Sequence, residues 1–165
     1  MDKLIETFYK AFGDLDAEIM CSCYHDDIVF EDPAFGVLKG KRAGNMWRML
    51  CDSQKDKDFK IIYSEIEANS DKGSAKWEAF YTFSKTGRKV HNKIQADFEF
   101  KDGKIIKHTD HFNLHKWARQ AMGIKGFMIG RTRYFKNKLR YQTNNLLTKY
   151  ESSLQHKKAT YLGLK

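Results

Sequence analysis

Lys104–His115, KIIKHTDHFNLH, decides how the rest of the chain is read. Taken as one long strand, it alternates with period two. Ile106, His108, Asp110, Phe112 and Leu114 then share one face, and Lys107, Thr109, His111, Asn113 and His115 share the other. The second row suits a solvated or loosely covered face. The first sets an imidazole and a carboxylate in the middle of apolar side chains. Burying either without a partner costs several kcal/mol, so this row is expected to line a pocket rather than a dry core. His108 and Asp110 lie about 7 Å apart along such a strand, a spacing that suits them to flank one water or one substrate oxygen.

Outward from this stretch, three further strands precede it. Lys89–Phe100 puts Val90, Asn92, Ile94, Ala96, Phe98 and Phe100 on one face against His91, Lys93, Gln95, Asp97 and Glu99. Ser74–Ser84 puts Ala75, Trp77, Ala79, Tyr81 and Phe83 against Lys76, Glu78 and Thr82, and Phe59–Ala68 alternates weakly. Asp71-Lys72-Gly73, Lys85-Thr86-Gly87 and Lys101-Asp102-Gly103 have the chemistry of hairpin turns. Earlier still, in YHDDIVFEDPAFG (Tyr24–Gly36), Ile28, Phe30 and Asp32 alternate as a short strand that Pro33, the only proline, stops at a turn. GKRAGNMWRML, from Gly40, opens a helix with Met46, Met49 and Leu50 on one side. Before it, Leu4, Phe8 and Phe12 recur at helical spacing, Gly13 ends that helix, and Asp14 is placed to cap a second whose inner face is Leu15, Ile19 and Cys23. Helices followed by an antiparallel meander make an α+β pattern, a curved sheet closed by its helices.

Bulk composition fits that pattern. At 165 residues, 41% hydrophobic and 14% aromatic, the chain can bury a sizeable core with aromatic-rich walls. No apolar run is long enough to span a bilayer, and the first residues form an amphipathic pattern rather than the apolar centre of a signal peptide. Cys21, Cys23 and Cys51 are too few and too irregular for a disulfide framework, so a reduced, cytoplasmic setting is expected. The net charge of +9 is unevenly placed. Residues 1–115 hold 18 Lys+Arg against 20 Asp+Glu, whereas residues 116–165 hold 12 against the single acid Glu151.

At this point the residues resemble a family. Helix, helix, strand, the turn around Glu31-Asp32-Pro33, then a helix and a four-strand meander over roughly residues 3–115 is similar to the nuclear transport factor 2-like superfamily. Its SnoaL-like polyketide cyclases and ketosteroid isomerases are the branches it resembles most. The resemblance implies a cone-shaped α+β barrel, a curved and mostly antiparallel sheet wrapped on N-terminal helices, with a ligand cavity in its mouth, often in a homodimer packed through the sheet. It also implies roles. Asp32 matches the general base of the ketosteroid isomerases, but their tyrosine donor falls on Phe8 and their protonated aspartate on Ala96, so an authentic steroid isomerase is not expected. Asp110 sits where SnoaL-like cyclases keep an acid/base aspartate. The arginines of the epoxide-hydrolase branch have no clear equivalent on the inner faces.

The expected site is therefore Asp110 as acid/base, His108 assisting or orienting it, and Asp32 as a second carboxylate. Trp77, Tyr81, Asn92, Phe98, Phe112 and Phe8 are expected to line the pocket, with a small, largely apolar carbonyl or polycyclic compound as ligand. This chemistry requires no cofactor, and no metal site is expected because His111 faces away from His108 and Asp110. The bland alternatives stay beside it: a buried structural pair for His108 and Asp110, and a turn cap for Asp32. A non-catalytic binding module or a dimeric interaction protein would use the same fold. Residues 116–165 read as a basic helical C-terminal extension, in which Phe135, Leu139, Gln142 and Leu146 fall on one line. Such a helix can pack on the barrel or lie on an anionic membrane surface. No recognised motif accompanies the charge, so specific nucleic-acid binding is not expected.

Overall fold

The computed structural model describes residues 1–161, with side-chain surroundings through residue 156. In chain order the elements are α1 (Asp2–Gly13), α2 (Ala17–Ser22), β1 (Tyr24–Asp32), β2 (Gly36–Lys39), α3 (Lys41–Gln54), β3 (Lys60–Ala68), β4 (Lys72–Phe83), β5 (Arg88–Lys101), β6 (Lys104–His111), α4 (Leu114–Met122), α5 (Ile124–Ile129) and α6 (Arg133–Tyr161). The six strands form one sheet in the order β2-β1-β6-β5-β4-β3. Every neighbouring pair is antiparallel except β1 and β6, which run parallel. This is a curved, open α+β sheet with helices closing its concave side, consistent with the cone that the family resemblance implied.

Register explains why the inner face is continuous. Ala79 pairs with Asn92, Trp77 with Ile94, Ala75 with Ala96 and Gly73 with Phe98. Ala96 pairs in turn with Asp110, and Phe98 with His108. The inner rows of β4, β5 and β6 thus lie side by side across the sheet. Ile5, Phe8, Tyr9 and Phe12 of α1 pack down on this face and are buried. The turn between β5 and β6 holds Asp102 and Gly103 at φ 52° and 74°, the left-handed pair a tight hairpin needs.

Three local readings of the sequence change. The stretch Lys104–His115 is not one strand: pairing stops at His111, and Asn113 accepts a hydrogen bond from the Lys116 N–H to cap α4. The cap of α2 is Asp16, not Asp14, and Ile19 is exposed, whereas Leu15 and Cys23 pack on the core as expected and Met20 joins them. The short strand ending at Pro33 turns back as the hairpin partner β2, with Gly36 at φ +76°.

The C-terminal helices pack on the cone. Trp117, Ala118 and Ala121 of α4 join Val90 and Phe135 in a second small core. Leu147 of α6 is fully buried in the main core. Along its length α6 is tied to the β1–β2 turn: Thr143 Oγ1 donates to the Ala34 carbonyl (2.9 Å) and Asn144 Nδ2 to the Phe35 carbonyl (2.8 Å). Arg140 reaches the carbonyls of Pro33 (3.3 Å) and Asp32 (3.4 Å). Further on, Glu151 pairs with Arg42 and accepts from Asn45 of α3. No helix among the described residues is long and apolar enough to cross a membrane.

Candidate functional site

Between the concave sheet, α3 and α6 lies a cavity of about 550 Å³ with mostly apolar walls. Asp110 and Asp32 both line it. They leave adjacent parallel strands together: Phe30 is in register with His108 and Glu31 with Thr109, which brings the next residues of both strands side by side. Neighbouring strands are about 4.8 Å apart. The two carboxylates therefore share one end of the cavity.

His108 and Asp110 are 0% and 4% exposed, as befits an inward row. Their rotamers close the backbone gap, and His108 Nε2 lies 3.1 Å from Asp110 Oδ1, a direct bond rather than the water-flanking arrangement expected from strand spacing alone. Trp77 Nε1 donates to the same oxygen at 3.1 Å. On the other side of the imidazole, Nδ1 is 2.7 Å from Tyr24 Oη, and Trp47 Nε1 donates to that oxygen at 2.8 Å. One arrangement of hydrogens satisfies the whole chain. Tyr24 donates its O–H to Nδ1, and the imidazole, protonated on Nε2, donates to Asp110. Burial pushes the Tyr24 phenol well up, which keeps that O–H in place as a donor.

His108 does not line the cavity. It sits behind Asp110, enclosed by the rings of Phe8, Phe30 and Phe98 at 4.5–5.4 Å and by Trp47. Phe8 and Phe98, expected on the pocket wall, likewise lie behind it, because Phe8 of α1 and Phe98 of β5 pack into the main core against the His108 ring. Trp77, Tyr81, Asn92 and Phe112 do line it. Phe112 does so from the loop after β6, where the inner row continues past the last strand pair. His111 turns to the outer sheet face and bonds to Asp97 at 3.1 Å.

Asp32 has a double character. Its Oδ1 accepts the Phe35 N–H at 2.5 Å, the turn-capping bond expected of Asp before Pro. Burial pushes its carboxyl up to about 7, against the Phe35 N–H, which lowers it; the nearby charge of Asp110 adds to the rise. Near neutral pH the cavity thus holds one carboxyl that exchanges its proton readily. Asp110 Oδ1 is occupied by two N–H donors, and among the described residues no donor bonds to its Oδ2. Any proton that Asp110 trades with a ligand passes through Oδ2.

Sequence reasoning missed the wall that α6 contributes. Leu139, Gln142, Thr143, Leu146 and Tyr150 all line the cavity, and Tyr150 Oη donates to Asp52 at 2.5 Å across to α3. Leu139, Gln142 and Leu146 belong to the helical line already visible in the sequence. Nothing in that line said which surface it met.

Residues 5–108 match the model of the SnoaL-like domain. No curated relative matches the chain. Among solved structures, an LEH-like epoxide hydrolase from M. tuberculosis is similar at 18% identity and TM-score 0.59, covering 77% of this chain and 93% of its own. An NTF2-like protein of unknown function from Burkholderia pseudomallei K96243 aligns at 15% identity and TM-score 0.61, covering 73% and 95%. A protein with the ketosteroid isomerase-like fold from Catenulispora acidiphila, solved with trimethylamine, aligns at 9% identity and TM-score 0.59, covering 72% and 91%.

Proposed function

The chain belongs to the SnoaL-like domain family, and from that premise we propose that it is a cofactor-independent acid/base enzyme acting on a small, largely apolar carbonyl or polycyclic compound. The observation that carries this reading is the pair of carboxyls at one end of an otherwise oily cavity, one buttressed by Trp77 and His108, the other pushed up to about 7. Asp110 takes a proton through Oδ2 from carbon beside the carbonyl, while its Oδ1 stays fixed. Asp32 in its acid form donates to the carbonyl oxygen as negative charge develops there; the enol so formed then takes the first proton back from Asp110 at the same or a neighbouring carbon while its O–H proton returns to Asp32, leaving both carboxyls as they began. His108 is a positioning residue, since it reaches the ligand only through Asp110. The apolar walls contribute by excluding water from the exchange.

Hydrogen–deuterium exchange tests this with a bicyclic ketone such as 2-tetralone as probe. In heavy water the protein should exchange the protons beside the carbonyl faster than buffer does, and the rate should fall as pH rises through about 7 as Asp32 loses its proton. Asp110→Asn keeps an oxygen for the Trp77 and His108 donors and should abolish exchange while leaving ketone affinity, read by tryptophan quenching, within a few-fold. Polycyclic ketones that bind yet exchange no faster than in buffer would sink the enzyme. The second reading, a non-catalytic binding module, would then stand on the apolar lining alone.

A further inference from the structure

The helix α5 is built inside out. Gly126 is its only buried residue, and a Cβ there would lie 1.9 Å from the Ala118 carbonyl oxygen, so α5 approaches α4 as closely as a backbone can. With the small residue turned inward, the bulky ones point out: Ile124 is 80% exposed, Met128 72% and Phe127 58%. An amphipathic helix of a globular protein places these residues the other way round. His115 Nε2 bonds to the Phe127 carbonyl at 3.0 Å, a second tie that holds the outward arrangement. Tyr134, at the start of α6, is exposed nearby in sequence.

The segment that carries this patch is uniformly cationic. Residues 116–150 hold nine Lys+Arg and no Asp or Glu. Lys116, Arg119, Lys125, Arg131 and Arg133 are exposed, and none forms an ion pair among the described residues. We infer that α5 and its basic collar form a peripheral docking surface for an anionic lipid bilayer, with Ile124, Phe127 and Met128 entering the headgroup–acyl boundary. Charge complementarity selects this occupant. Nucleic acid would meet an oily centre where it needs cations. A second copy would bring its own cationic collar against this one, and three protruding side chains fall far short of the roughly 800 Å² per partner of a stable interface. Long helix α6 is not the docking element, because its inner face is already committed to the β1–β2 turn and α3. The position adds sense: α5 links α4 and α6, and both supply cavity wall through Trp117 and Leu139.

The experiment is vesicle flotation of the full chain, independent of any turnover. Vesicles of phosphatidylcholine with about 30 mol% phosphatidylserine should carry the protein at least about tenfold better than phosphatidylcholine alone, and salt should weaken the binding. Ile124→Ser, Phe127→Ser and Met128→Ser combined should abolish flotation with the urea midpoint unchanged, since these side chains make no core. In a Phe127→Trp variant the added indole should emit further to the blue on binding and be quenched by brominated lipid. Absence of flotation, flotation undiminished in the triple variant, or an added indole untouched by brominated lipid would each overturn the inference. So would a concentration-dependent dimer that the triple variant dissolves, which would reassign the patch to a second copy.

Discussion

Asp32 changes its hold on a proton when the chain folds. Its carboxyl rises from an ordinary value near 4 to about 7, chiefly through burial. Between those values the folded protein binds the extra proton, so the contribution of Asp32 to stability is fully present below about pH 4, falls as pH rises, and is lost above about 7. Asp32→Asn keeps the oxygen that accepts the Phe35 N–H and removes the ionisation. Measured by urea unfolding across pH, the variant should gain on the parent as pH rises from about 4, reaching about 4 kcal/mol at pH 8, with the two slopes converging above that pH. A constant offset between the two curves would show that Asp32 titrates normally. The sequence announced this residue only as a turn cap or a borrowed catalytic base. Its neighbourhood with Asp110 needs the parallel β1–β6 pairing, which no period-two pattern contains.

At the scale of elements, α6 is anchored by polar bonds to the β1–β2 turn and by apolar side chains, Leu147 in the main core and Phe135 in the second. Leu147 is fully buried. Leu147→Ala should cost about 2–4 kcal/mol in chemical denaturation, the range for emptying a leucine site that cannot collapse. A loss below about 1 kcal/mol would mean that the helix rides on the surface. Strands and their inner faces were legible because alternation is local: the rows of β4 and β5 emerge in the structure with the register that pairs Trp77 with Ile94 and Ala79 with Asn92. What was not legible depended on closeness in space. Phe8 and Phe98 share their faces with true cavity residues and differ only in depth along the cone. The strand β2 was lost because Gly36–Lys39 is four residues long, too short to show a period. The side chain of His108 bridged a distance that backbone spacing alone made too great.

For the whole molecule, the proposed function links the cavity to the stability of the fold through ligand binding. A flat apolar ketone held at about 100 times its Kd should add about 2.7 kcal/mol to the unfolding free energy. Ala79 of β4 lines the cavity opposite Asn92. Ala79→Phe should fill the space, lower ketone affinity by at least about tenfold and remove most of this ligand-induced gain. Calorimetry with and without the ketone reads both. An undiminished gain in the variant would place the binding site elsewhere.

The ties between α6 and the β1–β2 turn also bear on where this protein can be divided. A chain ending at residue 115 would retain every strand and the carboxyl pair, yet its vessel would lack a stave. The carbonyls of Ala34 and Phe35 would lose their side-chain donors from α6, and the space left by Leu147 would open to water. The family-sized portion is thus a scaffold, and the basic appendage supplies the missing side of its cavity.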